Sequence, residues 1–125
     1  MPYQIQWEKK GVRWKFFGKV TSKETLASNM EIYGNSKFDG IRYQIADFSD
    51  VTDFEFSSED MKKIAYFDQA ASKSNPRVKV ALIAPTPKSK ELLTQYAEYS
   101  GASASPWETR IFDSIREAEA WTKDV

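Results

Sequence analysis

The chain has 125 residues, of which 41% are hydrophobic and 14% aromatic, and its 18 basic and 18 acidic side chains cancel at neutral pH. These values are typical of one folded domain and exclude a disordered chain. Because the chain contains no Cys and no His, disulfides, thiol nucleophiles and Cys- or His-based metal sites are excluded. We therefore expect a protein that is not an enzyme and has neither a metal nor a cofactor.

The same totals bear on location and partners. No stretch approaches the ~20 apolar residues of a membrane-spanning helix, and residues 1–10 lack the apolar core of a secretory signal. We expect a cytoplasmic protein with no integral membrane segment. The balanced charge argues against a nucleic-acid partner, since such proteins usually carry a basic excess.

The first predicted elements form a hairpin. Apolar and polar residues alternate over 3–7 and again over 12–16, on either side of a turn at 9–11. This period of two is typical of half-buried strands, and the short connection predicts that they pair antiparallel. The aromatic side chains are expected to face the core.

The first helix is predicted from Thr21, which forms a capping box with Glu24. Three side chains then recur at helical spacing and mark one face of this helix: Leu26, Met30 and Tyr33. A third strand is expected over 41–48, followed by a loop over 49–56.

Alternating elements fill the rest of the chain. Ser57 and Asp60 signal a second helix, the continuously apolar stretch 78–84 predicts a strand buried on both faces, and Thr86 followed by Pro87 opens a third helix. A short strand over 109–112 and a last helix after Ser114 complete the order β-β-α-β-α-β-α-β-α. This order predicts a single α/β domain over 1–125, with a mostly parallel sheet and an N-terminal antiparallel hairpin.

Four stretches resemble the SpoIIAA-like branch of the STAS family, the bacterial STAS/SEC14 domain-containing proteins; they lie at 42–52, 57–60, 74–77 and 105–112. The resemblance spans nearly the whole chain and implies the SpoIIAA-like, STAS-type fold. It implies little about function, because this branch has no settled biochemical role.

The resemblance also implies a candidate phosphorylation site at Ser57 and Ser58. In antagonist members of the STAS family, a Ser at the start of the helix after the third strand accepts phosphate from a partner kinase. Here Phe56 and Glu59 replace the Asp and Gly that usually flank the two serines. Ser57 is equally suited to cap its helix, so both interpretations stay open.

Two further sets of residues are candidates for a site. Asp47, Asp50 and Asp53 lie at and beyond the end of the third predicted strand, where α/β proteins gather their sites, or they belong to a solvated loop. Tyr96 and Trp107 are candidates for an apolar pocket. Trp107 also follows a small-residue stretch at 102–106, which suits a contact loop or a plug.

Two functions remain. The first is a non-enzymatic STAS-like interaction or regulatory module that binds a protein partner, with a homodimer as one form. The second is a carrier or sensor of a small hydrophobic, lipid-like ligand in a SEC14-like pocket. An apolar cavity lined by Tyr96, Trp107 and the helix aromatics would favour the second function, and a solid core with an exposed apolar patch would favour the first.

Overall fold

The computed structural model describes residues 3–102 and 106–123, and its centre is one five-stranded sheet. The strands lie in the sheet in chain order: β1 (Tyr3–Trp7), β2 (Gly11–Thr21), β3 (Tyr43–Glu55), β4 (Lys79–Ile83) and β5 (Glu108–Phe112). β1 is antiparallel to β2, and every other neighbouring pair is parallel. The predicted hairpin and the mostly parallel sheet are confirmed.

Four helices connect and follow the parallel strands: α1 (Ser22–Tyr33), α2 (Ser58–Ser74), α3 (Pro87–Ala102) and α4 (Ile115–Thr122). The predicted order is confirmed, with one additional 3₁₀ helix at Ser36–Gly40. Each predicted cap is present, since Thr21, Ser57 and Ser114 accept a backbone N–H in the first turn of their helices. None of the helices in the described ranges is long and apolar enough to cross a bilayer.

The helices divide unequally between the two faces of the sheet. α1, α2 and α3 cover one face, where the larger core contains Phe16 from β2 and Met61 from α2. On the other face, α4 places Ala118 against Ile45 and Ala81. β4 is buried on both faces from Val80 to Ile83, as its apolar sequence predicts.

The prediction of a loop over 49–56 is wrong. β3 continues to Glu55 beside the long β2, so two strands project past β4. The Ser and Asp residues suggested a loop, but lysines of β2 compensate the charge: Lys15 Nζ lies 2.9 Å from Asp50 and Lys19 Nζ lies 2.8 Å from Glu55. Gly18, with φ 70°, accommodates a shift of register within this pair.

The face of α1 marked by Leu26, Met30 and Tyr33 is only partly turned inward, since Tyr33 packs against the core and Met30 does not. Met30 is 50% exposed, and the side chains that face inward are polar ones together with one Ile: Thr25, Ser28, Asn29 and Ile32. Thr25 and Ser28 donate their hydroxyls to carbonyls of the same helix, at 3.0 and 2.7 Å. A polar helix face can be buried here because its donors have partners.

Candidate functional site

A small cavity lies between the sheet and the α1–α3 layer. Its volume is about 40 Å³, and its walls are mostly apolar, with Trp14 and Phe48 from the sheet, Met61 from α2 and Leu93 from α3. A cavity of this size has room for a water molecule or two. The polar side chains that line it come from four different elements: Thr25, Asn29, Tyr33, Gln44, Asp68 and Tyr96.

Asp68 is the centre of this polar group. It projects from α2 and is only 3% exposed. Tyr33 donates its hydroxyl to Oδ1 of Asp68, Tyr96 donates to Oδ2, and Asn29 Nδ2 donates to Oδ1 at 3.4 Å. The carboxylate therefore links α1, α2 and α3 through hydrogen bonds. We call Asp68, Tyr33, Tyr96 and Asn29 the Asp68 cluster.

Burial changes the acid–base behaviour of the Asp68 cluster. It raises the pKa of Asp68 to about 6, because a charged carboxylate loses its hydration there, although the hydrogen bonds from Tyr33 and Tyr96 oppose the shift. Burial and the neighbouring carboxylate raise the pKa of both tyrosines well above the usual value. The tyrosines therefore remain hydrogen-bond donors at neutral pH, and Asp68 changes charge in mildly acidic solution.

Gln44 adds an unused donor to the cavity. It lies on β3, is 2% exposed, and its Nε2 has no hydrogen-bond partner in the described part of the chain. A buried amide without a partner is costly, so it usually meets water or a ligand. The cavity thus presents a free donor from Gln44 close to a carboxylate whose two oxygens already accept hydrogen bonds.

The hydrogen bonds of the Asp68 cluster also bear on the chemistry of the cavity. The acid–base groups of the Asp68 cluster are committed to one another, and no Ser or Lys nucleophile lines the cavity. Within 3–102 and 106–123, no three acidic side chains lie close enough together to hold a metal ion.

The predicted serines lie outside this cavity, at the exposed start of α2. Ser57 is the N-cap, and its Oγ accepts the backbone N–H of Asp60 at 3.1 Å, while Ser58 is the first residue of the helix. Asp60 also accepts a hydrogen bond from Ser22, at 2.8 Å. The cap is confirmed, and phosphorylation of either serine stays a prediction.

The three predicted aspartates lie on β3, not in a loop. Asp50 pairs with Lys15, and Asp53 pairs with Lys88 at 3.0 Å. Asp47 Oδ1 accepts the backbone N–H of Ser49 at 2.9 Å. The structure places these carboxylates along one projecting strand, where lysines compensate two of them.

Tyr96 and Trp107 do not share a pocket. Tyr96 lines the cavity, whereas Trp107 packs at the start of β5 against Tyr33 and Phe38, with ring centroids 6.0 and 6.2 Å away. Trp107 is 6% exposed and donates Nε1 to the carbonyl of Asn75 at 2.7 Å, so its ring is part of the core. Residues 103–105 of the small-residue stretch lie outside the described residues.

Sequence reasoning missed Asp68 and Gln44. Asp68 interrupts the apolar stripe of α2, three residues after Ala65 and four before the buried Ser72. An acid on an apolar stripe signals a buried, partnered carboxylate. Gln44 gives a weaker signal, a polar residue in a strand that is otherwise buried.

Comparison with known proteins bears on the fold. No family model matches the chain, and neither does any curated protein sequence. Solved structures do match. The anti-sigma factor antagonist SpoIIAA in its unphosphorylated form aligns with a TM-score of 0.65 and 12% identity, over 98% of this chain and 99% of that one.

Two further structures agree. The phosphorylated form of the Bacillus cell fate determinant SpoIIAA aligns with a TM-score of 0.60 and 12% identity, over 95% of this chain and 97% of that one. A DUF3478 protein with a SpoIIAA-like fold from Shewanella loihica PV-4 aligns with a TM-score of 0.57 and 20% identity, over 96% of this chain and 93% of that one. The chain therefore has the SpoIIAA-like fold.

Proposed function

We propose that the protein is a non-enzymatic, STAS-type interaction module that acts by binding a protein partner. Its fold is that of SpoIIAA, an anti-sigma factor antagonist, along nearly the whole chain. Fold alone does not fix function, so the proposal needs support from the molecule itself.

The small volume of the cavity carries the proposal. Its volume of about 40 Å³ is far below the roughly 300–1,000 Å³ typical of small-molecule sites. A lipid-like ligand would need helices α1–α3 to move apart, against the hydrogen bonds of the Asp68 cluster. Binding through the outer surface requires no such opening.

Native mass spectrometry of the protein, purified gently from its own host, tests this proposal. We expect the chain in a stoichiometric complex with a second, different polypeptide, reproduced when the isolated partner is added to the pure protein. A chain found alone or only as a homodimer, with no partner recovered by crosslinking in the host, would refute the proposal. An added phosphate that disappears in Ser57→Ala or Ser58→Ala would identify the phosphorylated serine.

The free donor of Gln44 supports a second candidate, a sensor of a small, mostly apolar ligand. If α1–α3 move apart to admit it, a ligand with one acceptor oxygen would satisfy Nε2 of Gln44 while its remainder contacts the apolar walls. The same mass spectra would then show an extra small mass that is retained by wild type and lost in Gln44→Leu. Wild-type spectra without any added mass would exclude this candidate.

A further inference from the structure

The end of the sheet where β3, β4 and β5 begin is held together by one residue, Asn75, through its side chain and its carbonyl. Asn75 is 4% exposed, and its Nδ2 donates to the carbonyls of Phe38 and Ile41, both at 2.9 Å. The carbonyl of Asn75 accepts from Nε1 of Trp107 at 2.7 Å. The three segments that lead into these strands are therefore fixed relative to one another.

A surface groove of about 390 Å³ lies on this rigid end, and we call it the basic groove. Its lining contains three cations and two prolines: Arg42, Arg77, Lys79, Pro76 and Pro106. Glu108 also lines it, but Oε2 of Glu108 already pairs with Arg110 at 3.2 Å. None of the three cations forms an ion pair with any residue in 3–102 or 106–123.

Two of these cations are held in place by uncharged groups. Arg42 Nη1 donates to the carbonyl of Ile41 at 2.7 Å. Lys79 Nζ donates to the carbonyl of Trp121 at 3.2 Å and lies 5.1 Å from the centroid of its ring. Each cation keeps further N–H donors free, and a fixed side chain loses less entropy when it binds an anion.

The opposite end of the sheet has the reverse pattern. Carboxylates dominate there, and lysines already neutralise them, as in the pairs of Lys15 with Asp50 and of Lys88 with Asp53. Because the whole chain has no net charge, the unpaired positive charge of the basic groove is a local property rather than a general excess. It is the charge-complementary surface for a negatively charged partner.

From this geometry we propose that the basic groove binds an acidic segment of the protein partner, a proposal that rests on the proposed function. A groove of this volume admits a few residues of an extended chain, and its proline walls offer apolar contact beside the cations. An anionic lipid surface is less suited, since polybasic lipid-binding segments usually cluster about four to eight Lys or Arg.

The test uses two short synthetic peptides of equal length, one alternating Glu and Ser and the other Gln and Ser. Titration of the full-length ¹⁵N-labelled protein is followed by NMR at low salt. We expect the Glu peptide to shift the amide signals of Arg42, Arg77 and Lys79 in a saturable manner that salt weakens. The Gln peptide should leave these signals unchanged.

Two double variants with the same change of charge separate the groove from general electrostatics. Arg42→Gln with Arg77→Gln should weaken Glu-peptide binding about tenfold, the size expected for the loss of two charged contacts. Lys15→Gln with Lys88→Gln, at the opposite end, should change the affinity less than about twofold. Thermal unfolding confirms that all variants are folded.

Each contrary outcome overturns the proposal. Equal weakening of peptide binding in both double variants would show that net charge alone causes the effect. The absence of a saturable shift would show that the groove does not bind the acidic peptide, and its cations would then only offset the partial negative charge at the carboxyl ends of nearby helices. The groove would instead be a membrane-binding surface if three results occur together. The wild-type protein cosediments with phosphatidylglycerol vesicles, Arg42→Gln with Arg77→Gln does not, and no peptide binds. If the host complex forms equally with this variant, the proposed function stands and the groove assignment fails.

Discussion

The buried carboxylate of Asp68 dominates the energetics at the scale of single residues. Desolvation disfavours its charge, while Tyr33, Tyr96 and Asn29 provide donors that favour it. Burial prevails, because the pKa of the folded state, about 6, lies above the ordinary value of 3.8. Folded protein therefore takes up a proton at Asp68 at a higher pH than unfolded protein does.

This difference predicts a pH-dependent stability. Between about pH 4 and 6 the folded state binds more protons at Asp68, so the free energy of unfolding falls as the pH rises through this window, by about 2–3 kcal/mol. Asp68→Asn cannot titrate and should remove this fall. Urea unfolding of wild type and Asp68→Asn at several pH values measures the free energy of unfolding of each. If stability changes with pH in the same way in both proteins, Asp68 is not the titrating group.

The Asp68 cluster also shows why a site can escape sequence analysis. Tyr96 was selected for its aromatic ring, yet the structure uses its hydroxyl, and its partner Asp68 lies 28 residues away in the chain. Only the packing of α2 against α3 brings them together. Ser57, by contrast, was predicted correctly as a cap because its partner Asp60 is three residues away.

At the scale of elements, the projecting part of β2 depends on Gly18. Its φ of 70° is strained for any residue with a Cβ, and no atom lies within 4 Å of a Cβ built there. Gly18→Ala should therefore cost about 1 kcal/mol through the backbone alone. Gly18→Asn should cost less, since Asn tolerates this conformation better.

Gly40 provides the matched control for that measurement. It also has open space around its Cβ position but no positive φ. Gly40→Ala should be neutral or slightly stabilising, because it restricts the unfolded chain. Urea unfolding at one pH compares the free energies of unfolding of the variants. An equal loss of stability in Gly18→Ala and Gly40→Ala would contradict the claim that the positive φ of Gly18 causes the cost.

Local sequence patterns predict the order of the strands and helices well, but they predict the extent of β3 and the burial of side chains on α1 less well. All five strands and four helices were predicted in order, because alternation, caps and prolines are local signals. The strand character of 49–55 was missed, since its stability comes from pairing with β2 and from lysines distant in sequence. The burial of Asn29 on α1 was missed because its partner, Asp68, lies 39 residues away in the chain.

At the scale of the whole molecule, Asn75 joins three segments that are far apart in sequence. Asn75→Ala would remove the two buried hydrogen bonds to the carbonyls of Phe38 and Ile41, and we expect a loss of about 1–3 kcal/mol. Asn35→Ala, which removes only a cap of the 3₁₀ helix, should cost at most about 1 kcal/mol. Urea unfolding followed by tryptophan fluorescence compares the two, and similar losses would contradict this role of Asn75.

The chain-order arrangement of the strands has a consequence for synthesis on the ribosome. Every strand pairs with its predecessor, so each can join the growing sheet as it emerges. The second face, however, receives its cover from α4, the last helix of the described chain, and until then Ile45, Ala81 and Ile83 have no partner layer. The nascent protein therefore exposes an apolar strip on this face of the sheet until α4 has been synthesised and has packed against it.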